Sequence, residues 1–319
     1  MALMFSILLS ISALFFHPVQ AGSATSSSNE AVFSRLSPLA LNSLLVAGFS
    51  NDQRMVVVGE RGHILTSQDD GKNWQQAHVP SRSLITSVFF SAELGWATTF
   101  DGQILHSQDG GQQWQSQFVS VENNRPLLDI WFENPQHGLA IGAYGYFLET
   151  WDGGQQWQAR NFYQEDDFHL NKMAADQQGR LFVVAEAGQL YRSLNKGKTW
   201  QKLDFPYMGS LFGLLPINEQ GLLVVGLRGH IFYSDDGGEQ WRQIESGSSA
   251  LLSAARQRSD GRIFVVGSEA TVLQSGASLD RFEPYPLAQR MAISDVLVNS
   301  KGQLILIGEQ GVVPFEPQR

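Results

Sequence analysis

Ser67-Gln68-Asp69-Asp70-Gly71-Lys72-Asn73-Trp74 decides the fold, because its pattern, Ser/Thr-x-Asp-x-Gly-x-x-Trp, returns along the chain. The second copy runs through Ser107, Asp109, Gly111 and Trp114, and the third through Thr150, Asp152, Gly154 and Trp157. The fourth, Ser193, Asn195, Gly197 and Trp200, exchanges Asp for Asn; the fifth is Ser234, Asp236, Gly238 and Trp241. A decayed sixth retains Ser275 and an aromatic, Phe282. The aromatics follow one another at steps of roughly forty residues, the period of one four-stranded propeller blade.

A second landmark raises the count to seven. Each unit carries an apolar strand, a tight turn ending in glycine, and another apolar strand. The turn glycines are Gly62, Gly102, Gly145, Gly188, Gly229 and Gly311, with Ala270 in the sixth unit. Runs such as Met55-Val56-Val57-Val58 precede the turns and strands such as His63-Ile64-Leu65 follow them. The innermost strands are predicted over Leu44 to Phe49, Ile85 to Phe90, Leu127 to Phe132, Leu170 to Ala174, Leu211 to Leu215, Leu251 to Ala255 and Ile293 to Val298. The reading is an all-β, seven-bladed propeller over 31–319. The last unit ends soon after Phe315, so Ala31-Val32-Phe33-Ser34-Arg35 is expected to complete blade seven as its outer strand and close the ring.

The 319 residues, 43% of them hydrophobic, suffice for a large core. A net charge of −9 with no basic run argues against nucleic acid and anionic membranes as partners. With no cysteine, disulfides, thiolate metal sites, a cysteine nucleophile and a lipid-bearing N-terminal cysteine are excluded. Ala2 to Phe16 is almost wholly apolar and Val19-Gln20-Ala21 offers small residues before a cleavage point, so 1–21 reads as a signal peptide, although its start lacks Lys or Arg. The Ser-rich stretch 22–30 reads as a flexible lead-in. The mature chain is then expected outside the cytoplasm, not inserted in the membrane, and monomeric.

The octet's Asp and Ser suit hydrogen bonds to their own turn, its Gly suits a positive φ, and its Trp suits burial between blades. The carboxylates sit in five like environments, one with Asn, whereas an acid–base pair needs unlike ones. Candidate function therefore shifts to positions where the repeat varies. The residues before the turn glycines are Arg61, Asp101, Tyr144, Ala187, Arg228, Glu269 and Gln310. Of these, Arg61, Asp101, Tyr144, Arg228 and Glu269 are the candidate partner-binding residues, on the face opposite the octets. Glu165-Asp166-Asp167-Phe168-His169 is an acidic loop, but adjacent carboxylates with one histidine do not define a cation site. His63 and His230 occupy equivalent strand starts and read as architecture. No nucleophile elbow, phosphate loop or His-Glu-x-x-His motif appears, so neither enzyme chemistry nor a cofactor is expected.

Gly59-Glu60-Arg61-Gly62-His63-Ile64-Leu65 leading to Trp74, and Gly226-Leu227-Arg228-Gly229-His230-Ile231-Phe232 leading to Trp241, resemble the repeat of the Ycf48 family of photosystem II stability and assembly factors. The resemblance extends from about Val32 to Phe315. It implies a lumenal or periplasmic, non-catalytic propeller that binds a newly made membrane-protein subunit through an arginine-rich patch. Arg61 and Arg228 fall at positions suited to such a patch, but the rest of the ring is not basic. The implied partner is a membrane-protein complex, photosystem II-like or, in a non-photosynthetic bacterium, an envelope transporter. The octet also resembles the Asp box of sialidases, which makes a glycan-binding protein or glycoside hydrolase the alternative. A sialidase arginine triad with a tyrosine nucleophile cannot be assembled here: Gly261-Arg262-Ile263-Phe264 is only a faint match.

Overall fold

The computed structural model describes residues 32–120, 125–164, 166–276, 278–287 and 290–316; the expected leader and lead-in lie outside them. Blade one is β1 (Leu45–Ser50), β2 (Met55–Gly59), β3 (Ile64–Ser67) and β4 (Gln75–Gln76). Blade two is β5 (Ile85–Ser91), β6 (Leu94–Thr99), β7 (Gln103–Ser107) and β8 (Gln115–Val119). Blade three is β9 (Leu127–Phe132), β10 (Gly138–Gly142), β11 (Phe147–Thr150) and β12 (Gln158–Ala159). Blade four is β13 (Leu170–Ala175), β14 (Leu181–Ala185), β15 (Leu190–Ser193) and β16 (Gln201–Lys202). Blade five is β17 (Leu211–Ile217), β18 (Gly221–Gly226), β19 (Ile231–Ser234) and β20 (Arg242–Ile244). Blade six is β21 (Leu252–Gln257), β22 (Ile263–Gly267), β23 (Val272–Ser275) and β24 (Phe282–Pro284). Blade seven is β25 (Ile293–Val298), β26 (Leu304–Gly308) and β27 (Gly311–Phe315). Each blade is an antiparallel meander with its strands side by side in chain order. Each first strand touches the first strand of the next blade, and β1 touches β25, which closes the ring.

The apolar runs explain the order of the strands. Second strands such as Met55–Gly59 and Ile263–Gly267 are buried along their whole length, as a strand covered on both faces requires. The core divides into seven clusters, one at each boundary between neighbouring blades. The octet aromatics feed them in turn. Trp74 packs where blade one meets blade seven, and Trp114, Trp157, Trp200 and Trp241 pack where their blades meet the preceding one. Phe282 does the same for blade six, so the decayed unit keeps the packing role. Each fully buried aliphatic or aromatic side chain in these layers contributes on the order of 2 kcal/mol.

The octet is held by one repeated set of bonds. The Ser or Thr hydroxyl accepts the glycine N–H at 2.8–2.9 Å and donates to the Asp or Asn Oδ1 at 2.8–3.0 Å. That Oδ1 accepts the N–H four residues on, as from Asn73 at 2.9 Å and Thr199 at 2.9 Å. The indole N–H of Trp74, Trp114 and Trp241 closes onto the octet glycine carbonyl at 2.9–3.1 Å. In blade six the Ser275 hydroxyl instead accepts the Ile263 N–H at 2.9 Å.

The expected outer strand of blade seven is corrected. Among the described residues blade seven has three strands, and 32–37 form no strand. Ser34 N–H instead donates to the Val79 carbonyl, Ser37 N–H to the Gln76 side chain, and the Phe33 ring lies 4.7 Å from His78. Side-chain partners on blade one thus draw the segment away from β27. The turn Ala40–Asn42 covers β27 where Gly311 approaches Leu41, while Leu297, Ile305 and Ile307 pack with Leu45, Met55 and Val57.

The bonds from Asn73 N–H, then from Asn73 Nδ2–H and Ser67, hold the Asp69 carboxyl at about 2, below its ordinary 3.8. Asp152 and Asp236 are also lowered, first by the N–H of Gln156 and Gln240. A carboxyl whose folded pKa is depressed adds stability that is complete above the unfolded value and is lost as pH falls through the folded one. Thermal melts should therefore lose Tm as pH is lowered from 4 toward 2. Asp69→Asn should flatten that fall while keeping the acceptor, as Asn195 does naturally, whereas Asp69→Ala should lower Tm at neutral pH as well.

Candidate partner-binding face

The octets join third strands to fourth strands and the glycine turns join second to third, so antiparallel pairing places the two sets on opposite ends of the blades. The first strands also begin at the glycine-turn end, where Leu45 pairs with Gly59. This end, the turn face, therefore collects the second-to-third turns, the connectors between blades and one mouth of the central channel.

Five of the seven turns share one backbone shape. Arg61 (φ 57°, ψ 23°) and Gly62 (φ 73°) are both left-handed, and His63 N–H returns to the Glu60 carbonyl at 3.0 Å, a type I′ turn that matches strand twist. Tyr144, Ala187, Arg228 and Glu269 take the same left-handed tip position. The next residue faces the connector. Gly62, Gly145, Gly229 and Ala270 donate their N–H to Ser83, Phe168, Ala250 and Met291 at 2.7–2.9 Å. A Cβ on Gly229 would lie 1.8 Å from the Ser248 carbonyl oxygen. With the backbone committed to the fold, only the tip side chains are free to differ.

The tips are not alike. Arg61 leaves 77% of its side chain exposed, with the Glu60 carboxylate 3.9 Å away. Tyr144 is 58% exposed and meets His169 edge-on at 4.6 Å. Arg228 and Glu269 are exposed. Asp101 behaves differently: its carboxylate accepts the Thr99 hydroxyl and, at 2.8 Å, the Gln103 amide, which binds it to its own turn. Arg61 and Arg228 lie on blades one and five, with blades six and seven between them, so they flank the channel mouth instead of merging into one patch.

The neighbouring groups are structural. Glu165 lies outside the described residues; Asp166 accepts the Tyr191 hydroxyl at 2.8 Å and lies 3.6 Å from Lys202. Burial and the Asp166 carboxylate push the Tyr191 phenol far above its usual range. Buried His63 contacts the Ser43 hydroxyl at 2.9 Å, and burial lowers its pKa. His230 stacks on Tyr207 at 4.3 Å. Among the described residues no three His, Asp or Glu side chains are placed to hold a metal.

Sequence reasoning missed the channel wall. A register shift near the start of every first strand marks a bulge. Side chains at these bulges reach the next blade. Thr86, Asn171 and Ser253 donate to the carbonyls of Leu127, Leu211 and Ile293 at 2.7–2.8 Å. Asp129 and Asp295 accept the N–H of Met173 and Gly48 at 2.8 and 3.0 Å. Five of the seven blade boundaries are clasped in this way. Lys172 lies 3.0 Å from Asp129, and Arg256 3.5 Å from Asp295. Between them is a cavity of about 140 Å³ walled mainly by Val46, Leu128, Phe212 and Leu214. It has room for an apolar side chain between two cations that are already paired. The available signal was an acid at the third residue of both β9 and β25.

Fold and face together define a seven-bladed Asp-box propeller whose turns present a varied ring of side chains around a channel mouth. The family model described as Photosynthesis system II assembly factor YCF48 matches residues 34–126 and 115–272, more than half of the chain, and the chain belongs to that family. A solved structure titled YCF48 bound to D1 peptide superposes with a TM-score of 0.73 at 18% identity, covering 92% of this chain and 96% of that one. YCF48 from Cyanidioschyzon merolae gives 0.70 at 16%, covering 88% and 97%. Virginiamycin B lyase from Staphylococcus aureus gives 0.75 at 10%, covering 89% and 98%, so the architecture also serves an enzyme. Among the curated proteins none matches.

The turn backbone is testable by exchanging one atom. Gly229→Ala should cost about 2 kcal/mol in chemical denaturation, because it adds left-handed strain and a clash with Ser248. Ala270→Gly, at a φ of 57°, should instead stabilise by about 1 kcal/mol. In the channel, Asp129→Ala should cost about 3 kcal/mol, since it leaves Lys172 and the Met173 N–H unpaired.

Proposed function

We propose that this chain is a non-catalytic, exported scaffold that docks on a membrane-protein complex through its turn face and assists assembly. The observation that carries the reading is the left-handed turn tip. The same backbone recurs in five of the seven blades, but it lifts Arg61, Tyr144, Arg228 and Glu269 into solvent as different chemistries. A scaffold needs uniform turns, while a recognition surface needs varied side chains on a rigid frame. Membership of the YCF48 family supports the assembly role. The solved relative titled as bound to a D1 peptide makes a polypeptide segment of a membrane subunit the natural ligand class. The apolar stretch 1–21, read as a signal peptide, supports a mature chain in a periplasm, or in a thylakoid lumen if the host is photosynthetic. Tip cations would act through acidic or carbonyl-rich stretches of the partner, setting orientation and encounter rate as well as affinity.

Affinity purification of the tagged protein from its host's envelope should yield a stoichiometric membrane protein. Arg61→Glu combined with Arg228→Glu should reduce recovery about tenfold or more without changing the melting temperature, because both side chains are exposed. Undiminished recovery by the double variant would show that the turn face is not the docking surface.

A further inference from the structure

The opposite face breaks its own repeat at one place. The second octet position is Gln68, Gln108 and Asp235 in three blades, but Trp151 and Leu194 in blades three and four. These two apolar side chains are 54% and 66% exposed. Charge changes at the same spot. Octets one, two, three and five carry net charges of −1, −1, −1 and −3, whereas octet four carries +2 from Lys196 and Lys198. Its Asn195 makes the turn bonds that Asp makes elsewhere, with Ser193 at 3.0 Å and Thr199 N–H at 2.9 Å. Losing the acid there thus leaves the turn intact and changes the electrostatics.

The two octets form one surface. Gly197 lies so close to Leu139 of blade three that a Cβ would meet it at 2.6 Å. Arg160 donates to the Lys198 carbonyl at 3.4 Å, and the Lys198 ammonium lies 5.7 Å from the Trp151 ring centre. Trp151 is fixed from below by the parallel ring of buried His137, 3.8 Å away. His137 is in turn held by Glu133 at 3.0 Å and Glu149 at 3.1 Å, which are themselves paired with Lys196 and Arg160. Trp151 is therefore a rigid anchor that loses little freedom on contact. Lys198 meets no carboxylate among the described residues.

From this juxtaposition we propose that the octet edges of blades three and four bind a short acidic polypeptide segment carrying a large apolar side chain. The side chain lies against Trp151 and Leu194, and the acids meet Lys198 and the exposed flank of Lys196. An extended membrane surface fits less well. It would face all five octets, whose net charge is −4, while a peptide touches only the positive pair. This surface lies on the opposite end of the blades from Arg61 and Arg228 and is separate from the turn face.

The test uses the purified full chain and a fluorescein-labelled peptide of alternating Glu and Leu, read by fluorescence anisotropy. The probe is expected to bind, to weaken with added salt, and to lose about tenfold in affinity with Lys198→Glu or Trp151→Ala. Lys72→Glu in octet one should bind as the parent does. Lys198 is exposed, so Lys198→Glu should leave the melting temperature unmoved, which separates lost binding from the loss of packing on His137 in Trp151→Ala. Equal binding of a Gln/Leu peptide, unchanged affinity in Lys198→Glu, or binding to phosphatidylglycerol vesicles but not to the peptide would each overturn the proposal.

Discussion

A single hydroxyl organises each of blades one to five. The octet Ser or Thr receives the glycine N–H and gives its own proton to the Asp or Asn, whose oxygen then receives the amide four residues on. This closed circuit turns the chain and delivers the aromatic to the boundary with the preceding blade. Because each cluster is shared by two blades, the hydroxyl in one blade sets the packing of another. An Asp in this circuit is consumed as an acceptor, which is why five carboxamide or carboxylate turns can ring the molecule without forming a reactive centre.

The turn face follows from the same economy. Its backbone amides are spent on the connectors, as Gly62 N–H is on Ser83 and Gly229 N–H is on Ala250. The fold therefore fixes where each tip residue stands but not what it is. Variation among Arg61, Tyr144, Arg228 and Glu269 costs the scaffold little, so it is available to recognition. The channel wall shows the opposite case, since Asp129 and Asp295 hold adjacent blades together.

Much of this was legible in the sequence. The octets and turn glycines gave away the blade count, and the predicted inner strands differ from β1, β5, β9, β13, β17, β21 and β25 by no more than two residues at any end. The outer strand assigned to 31–35 failed for a physical reason: a short apolar stretch fits any open edge. Its position is set by the Gln76 amide and the His78 ring, which no local pattern reveals. The clasps were hidden because they depend on bulges in the first strands. Asp101 looked like the other tips, and only the neighbouring Thr99 and Gln103 show that its carboxylate is committed. That Arg61 and Arg228 flank the mouth, with two blades between them, is a property of the closed ring and not of their shared motif.

The central claim, that the turn face meets the membrane partner, is tested most directly by photo-cross-linking in the host envelope. A photoreactive residue is placed in turn at 61, 144 and 228, and at the octet positions 68 and 108 on the opposite end. Cross-links to one membrane subunit from 61, 144 and 228, with none from 68 and 108, are the expected result. Cross-links to that subunit from 68 and 108 alone would contradict it.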